Sequence, residues 1–251
     1  MSIFVARQPI VNRRGSVVAQ ELLFRDAQSQ RANISDGFRC SAAVVERVLG
    51  AFGLEQVLDG TDGYLNTPAE LIFSDVLELL PASRFTLEIL EDEALTPDLG
   101  AQCDRLRQAG FRIALDDVNA ITPEIERFLQ HVDIVKLDWP YIDPKAAQET
   151  VRRCRRAGKL VLAEKVEERA DHARAMQAGV DLFQGYHFAK PQLLSSKREV
   201  ASFAGVSKVL QLIMEDASHL HLEQALKSVP PLVVQVLRLA NSGRSSRARQ
   251  A

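Results

Sequence analysis

Cysteine is scarce in this sequence, with only Cys40, Cys103 and Cys154 among 251 residues, an odd number containing no CxxC pair. That pattern excludes a disulfide framework and a cysteine-based zinc site, and it points to a reducing compartment. Long hydrophobic runs are missing as well: none approaches the ~20 residues that cross a bilayer, so no membrane association is expected. The start, Met-Ser-Ile-Phe-Val-Ala-Arg-Gln-Pro, lacks the basic-then-apolar order of a signal peptide. A cytoplasmic protein is expected. Neither sign of charge dominates, with 31 Lys plus Arg against 33 Asp plus Glu and a net charge of −2, so no field attracts nucleic acid or anionic lipid. The absence of GxGxxG and GxxxxGK[ST] removes the Rossmann and P-loop readings. None of the five histidines forms a His-Asp dipeptide of the hydrolytic HD kind.

What remains is ordinary globular composition, 46% hydrophobic and 25% charged, at a length that suits one large domain or one domain with an appendage. Ile3 to Ala6 and Val17 to Phe24 are β-prone runs around Asn12-Arg13-Arg14-Gly15, which predicts a hairpin. Helix and strand patterns then alternate. Val45, Val48, Leu49 and Phe52 recur at helical spacing before a strand at Gly63 to Asn66, and Leu99, Cys103 and Leu106 do so before Phe111 to Asp117. Further strands are predicted at Phe85 to Leu90, Asp133 to Leu137, Lys159 to Val166 and Leu182 to Phe188. Nearly continuous apolar strands alternating with helices imply a parallel sheet covered on its outer face, either a closed (β/α) barrel or an open doubly wound sheet.

Polar residues near the strand ends separate these two. They are Glu21 in the first segment, then Asn66, Glu88, Asp116 with Asp117, Lys136, Glu164 and Gln184. Each carboxylate taken alone reads most simply as a helix cap or a solvated loop residue. Their recurrence along successive strands needs a common cause, because a buried carboxylate is costly unless paired or bound to metal. In a β/α barrel the carboxyl ends of the strands converge on one mouth. Five carboxylates, one Asn and one Lys there form an oxygen-donor set for a hard cation, Mg²⁺ or Mn²⁺. A metal-dependent lyase or aldolase using Lys136 is the competing reading. Five neighbouring acids would keep that lysine protonated, against what such chemistry needs.

At these residues the chain resembles the bacterial EAL family of cyclic di-GMP phosphodiesterases, in particular the subgroup in which an EAL domain precedes an HDOD domain. The matching stretches run in order over residues 3 to 191: Ala6-Arg7-Gln8-Pro9-Ile10, Glu21-Leu22-Leu23-Phe24-Arg25, Leu65-Asn66, Leu87-Glu88-Ile89, Ala114-Leu115-Asp116-Asp117, Val135-Lys136-Leu137-Asp138, Ala163-Glu164-Lys165-Val166-Glu167 and Gln184-Gly185-Tyr186-His187-Phe188-Ala189-Lys190-Pro191. The resemblance implies an α/β fold, a modified TIM-type barrel with an antiparallel first strand, and hydrolysis of cyclic di-GMP to pGpG. It implies Glu21, Asn66, Glu88 and Asp116 as ligands of one Mg²⁺ or Mn²⁺ ion, and Asp116, Asp117 and Glu164 as ligands of a second. Lys136 would position the attacking water, with Glu164 and Gln184 as further catalytic groups. Arg25, Gln8 and Pro191 would contact the dinucleotide.

Two departures from the family pattern bear on turnover. After the Asp pair the family continues with a glycine-rich Phe-Gly-Thr-Gly-Tyr-Ser-Ser loop, whereas this chain reads Val118-Asn119-Ala120-Ile121-Thr122-Pro123. The first motif is Glu-Leu-Leu instead of Glu-Ala-Leu. Weak or conditional activity is expected, with a silent cyclic di-GMP receptor or a protein-interaction scaffold as alternatives. The domain reading is an EAL-like barrel over residues 1–194, then a linker and partial HDOD-like helices over 195–251. The segment from Val229 to Gly243 resembles opening HDOD helices and carries Leu232, Val233, Val236, Leu237 and Leu239. Such a face needs cover, so a homodimer or a protein partner is expected there.

Overall fold

The computed structural model describes residues 2–24, 54–74, 77–78, 80–90, 93–197, 208–209, 211–213 and 218–227. The expected helix around Val45 to Phe52, Arg25 and the segment from Val229 to Gly243 lie outside the described residues. The stretch expected to be helical from 200 to 217 is described at 208–209 and 211–213, and is helical at both.

The chain opens with β1 (Ser2–Asn12) and β2 (Val17–Phe24), paired antiparallel with Gln8 opposite Glu21. The turn between them is built by Asn12, whose Oδ1 accepts hydrogen bonds from the amides of Arg14 (2.9 Å) and Ser16 (3.1 Å), and by Gly15 at φ +77°. Six further strands follow: β3 (Asp62–Asn66), β4 (Phe85–Ile89), β5 (Arg112–Val118), β6 (Ile134–Asp138), β7 (Leu160–Glu164) and β8 (Leu182–Phe183). From β2 to β8 each pairs parallel with the next, and β1 closes the ring by pairing antiparallel with both β2 and β8. The result is an eight-stranded α/β barrel of TIM type with one reversed strand. An open sheet is ruled out by the β1–β8 pairing. A ninth strand, β9 (Gln192–Lys197), runs antiparallel along β1 and spans the expected domain boundary at residue 194.

Outside the strands lie α1 (Leu54–Leu58), α2 (Ala69–Ile72), α3 (Pro97–Gln108), α4 (Pro123–Phe128), α5 (Ala147–Arg156), α6 (Arg169–Ala178) and α7 (His219–Lys227). The same Thr-Pro device starts α3 and α4. Thr96 Oγ1 accepts from the Leu99 amide and Thr122 Oγ1 from the Ile125 amide, each at 3.2 Å, with proline in the first turn.

Strand alternation sorts the core into two parts. Leu22, Leu65, Leu87, Leu115, Val135, Leu137, Val161 and Ala163 belong to the large cluster that includes buried residues of the helices, such as Leu99, Cys103, Val151 and Ala175. A second, smaller cluster comprises Ile10, Ala19, Tyr64, Ala114, Ile134 and Leu162, with Leu182 packed against it. These are the barrel's inner residues. Every strand from β2 to β8 then has a polar residue two positions further on, and period two places it on the same inner face: Ala19 precedes Glu21, Tyr64 Asn66, buried Thr86 Glu88, Ala114 Asp116, Ile134 Lys136, Leu162 Glu164, and Leu182 Gln184. The barrel is therefore filled by an apolar layer topped by a polar one at its C-terminal mouth, where active sites of this fold lie.

Candidate active site

The centre of the polar layer is Lys136, at 0% exposure the largest fully buried charged side chain among the described residues. An ammonium has three N–H donors, and three carboxylates surround this one. They are Glu88, Asp116 Oδ1 at 2.8 Å and Glu164 Oε1 at 2.9 Å. Beside them, Gln184 Nε2 donates to Glu21 Oε2 at 2.5 Å, and Asn66 Nδ2 lies 3.5 Å from Glu21 Oε1. The expected site residues on β2 to β8 thus come together. Gln8 lies opposite Glu21 on β1, on the same face of the hairpin. Pro191 is half-buried immediately before β9.

Asp116 and Asp117 are consecutive, so alternation alone would send them to opposite faces. The structure resolves this with a bulge. Between Leu115 and Val118 the β5–β6 register slips by one residue, and Asp117 adopts a left-handed φ of +47°. The Asp117 amide donates to Asp116 Oδ1 at 3.0 Å, and carboxylate oxygens of Asp116, Asp117 and Glu164 lie within 4.8 Å of one another.

Two further residues belong to the site although the sequence assigns them no role, Asp138 and Lys165. Asp138 follows Lys136 by two on β6 and pairs in register with Glu164. Lys165 Nζ donates to Asp138 Oδ2 at 2.6 Å and to Asp117 Oδ1 at 2.8 Å. Period two could have identified Asp138. Nothing local could have identified Lys165, because its φ of +54° is unusual for a residue with a side chain.

The electrostatics follow from burial. Desolvation pushes the Glu88 carboxyl well above the usual carboxylate range, with the charges of Glu21 and Asp116 adding to it and Lys136 opposing. Desolvation likewise raises Glu164, again against Lys136. Desolvation also acts to raise Asp116, but Lys136 and hydrogen bonds from its neighbours outweigh it and hold this carboxyl below the ordinary range. Burial acts to lower Lys136, and Asp116, Glu164, Glu88 and Glu21 more than reverse that, keeping it charged.

The donor set is carboxylate and amide oxygen throughout, and buried Glu88 Oε2 and Gln184 Oε1 have no hydrogen-bond partner among the described residues. Oxygens without partners in a carboxylate-rich pocket fit a hard divalent cation. A carboxyl with a raised folded pKa stabilises the fold fully below its ordinary value, 4.5 for Glu88, and that contribution is lost as pH rises through the folded value. Glu88→Gln, which mimics the protonated form, is therefore expected to keep or raise stability at pH 8 in EDTA while weakening Mn²⁺ binding by at least about tenfold. Urea denaturation and calorimetric titration of the same sample check both signs, and a clear loss of stability would contradict the assignment.

A closed α/β barrel of TIM type with a reversed first strand, carrying an acidic mouth organised on a buried lysine, defines the class of protein. The EAL-domain family model matches residues 66–191, half of the chain, and the chain belongs to the EAL-domain family. Over 250 residues it is 32% identical to the uncharacterized protein YuxH of Bacillus subtilis (strain 168), covering 98% of this chain and 61% of that protein. Over 197 residues it is 32% identical to the cyclic di-GMP phosphodiesterase CdgJ of Vibrio cholerae, covering 77% of this chain and 45% of CdgJ. The chain thus spans less than two thirds of either relative. Its fold is similar to that of the Bacillus subtilis YkuI protein, solved with the substrate cyclic di-GMP and calcium, at a TM-score of 0.61 and 21% identity over 86% of this chain and 61% of that one. Among the described residues no helix is long and apolar enough to cross a membrane.

Proposed function

We propose that this chain is a cyclic di-GMP signalling protein of the cytoplasm whose barrel mouth hydrolyses the dinucleotide to pGpG with one or two Mg²⁺ or Mn²⁺ ions, at a rate that is weak or conditional because the segment after Asp116-Asp117 departs from the family pattern. The observation that carries this reading is the convergence of Glu21, Asn66, Glu88, Asp116, Asp117 and Glu164 around Lys136. Glu21, Asn66, Glu88 and Asp116 would hold one ion, and Asp116, Asp117 and Glu164 a second. A bound divalent cation supplies positive charge that acidifies a water and offsets charge developing on the phosphate.

The chain's own groups do the rest. Gln184 and Asn66 orient the Glu21 carboxylate, and Asp116 stays ionised beside Lys136. Lys136, whose ammonium faces Glu88, Asp116 and Glu164, would position the attacking water. Gln8 and Pro191, with Arg25, would contact the dinucleotide, the guanidinium gripping a phosphate bidentately.

The direct test is conversion of cyclic di-GMP followed by chromatography. A pGpG peak is expected with Mn²⁺ or Mg²⁺, and its loss on chelation and return on adding metal. Absence of product at high protein with either metal would refute turnover. A second reading, binding without hydrolysis, is supported by the segment after Asp117, where Val118 and Ile121 are buried and Thr122 already caps α4, leaving no glycine-rich loop. We further propose that the residues after β9, from 198 to 251, are a linker and HDOD-like helices, and that they mediate a homodimer or a protein contact. This is supported by the apolar pattern from Leu232 to Leu239.

A further inference from the structure

Lys165 stands directly after Glu164, yet its side chain does not follow strand alternation. Its left-handed backbone is held in place by the segment beyond: the Val166 amide donates to the Gln184 carbonyl at 2.9 Å and the His187 amide to the Val166 carbonyl at 3.0 Å. Gly185 makes this close approach feasible, since a Cβ there would stand 2.1 Å from the Val166 carbonyl oxygen. A conformation of this kind persists only when its surroundings over-determine it, and such positions cluster at functional sites. The outcome is an ammonium bridging Asp117 and Asp138, at 2.8 and 2.6 Å, beside the Asp116–Asp117–Glu164 cluster.

We propose that Lys165 is a tethered cation that takes the Asp117 side of the mouth, so that the site binds one divalent ion readily and a second only by displacing the lysine. The inference rests on the metal site proposed above. Asp117 Oδ1 cannot serve an ammonium at 2.8 Å and a metal ion at full strength together, and two positive charges so close repel each other. Asp138 gives the lysine its second partner and so fixes it at Asp117. Lys165 is half exposed, 50% by side chain, and its stem is flexible, so displacement into solvent needs no unfolding. The lysine therefore makes the second ion conditional on metal concentration without abolishing it, which places a control on occupancy inside the acidic cluster itself.

The test is Mn²⁺ titration of the full chain, with free ion counted by electron paramagnetic resonance and heats by calorimetry. The unaltered protein is expected to bind one ion tightly and a second at least about tenfold more weakly, a coupling of ordinary size. Lys165→Met and Lys165→Gly, the latter suited to the left-handed backbone, should tighten the second ion by about tenfold or more and leave the first within about twofold. Lys165→Arg, which keeps the charge, should behave as the unaltered protein. Adding Asp117→Asn to Lys165→Met should remove the gained ion. One ion in every variant with unchanged affinity, or two equally tight ions in the unaltered protein, overturns the role of Lys165 while leaving the metal site standing. No Mn²⁺ bound by any of them overturns both.

Discussion

Replacing Lys136 with methionine is expected to cost the folded protein about 3–5 kcal/mol, the usual penalty for removing one partner from a buried ion cluster. Methionine nearly preserves the volume, so the loss would come from charge and not from a cavity. Glu88 and Glu164 are already raised by burial, and without the ammonium they would be raised further. Both can then take up protons, so the deficit should be smaller at pH 5.5 than at pH 8. In the unaltered protein the contribution of Lys136 itself is constant over that range, because its folded pKa lies above its ordinary 10.5. Urea denaturation in EDTA at the two pH values measures the difference. A loss below about 1 kcal/mol at pH 8 would mean that the cluster is not held by its central charge.

Asp116→Ala should have the larger functional effect, because this residue would belong to both proposed ion sites and touches Lys136 as well. Groups that merely support metal ligands cost about 10–100-fold when removed, so loss of a shared ligand should weaken Mn²⁺ binding by more than about 100-fold and take product formation below detection. Circular dichroism melting shows whether the variant is folded. A folded Asp116→Ala protein that binds Mn²⁺ as tightly as the unaltered chain would remove the carboxylate from the metal site. Asp116 is the most informative single position because its carboxyl is held below the ordinary range, and so presents a charged oxygen over the whole range in which the protein would be assayed.

The site was legible in the sequence wherever strand period and side-chain chemistry act together. Glu88, Lys136 and Glu164 stand in runs that are otherwise apolar, and a charge in such a run must either face a shared pocket or destabilise the strand. That reasoning needs no tertiary information, and the three side chains do meet. The placement of Asp117, which the sequence marked as the neighbour of Asp116, and of Lys165, to which it gave no role, was different. Each follows a site residue immediately and alternation directs it to the other face, yet each is turned inward by a left-handed φ, at +47° and +54°. The bulge in β5 and the contact of Gly185 with Val166 enforce those angles, and both arise between segments distant in sequence.

The order of the strands shows the same division. Composition and alternation alone determined an α/β chain with a covered parallel sheet and a row of oxygen donors near the strand ends, because burial on two faces leaves an apolar signature in each strand separately. Closure of the ring depended on β1 meeting β8 through Val11–Phe183 and Asn12–Leu182, a pairing of two short segments about which local pattern carries no information. Only that closure brings the first strands' Glu21 beside the last strand's Gln184, and only the assembled mouth sets two lysines against six carboxylates. Residue types are a local property of the chain, whereas the number of charges sharing one pocket, and hence which of them stay ionised, is decided by the tertiary structure.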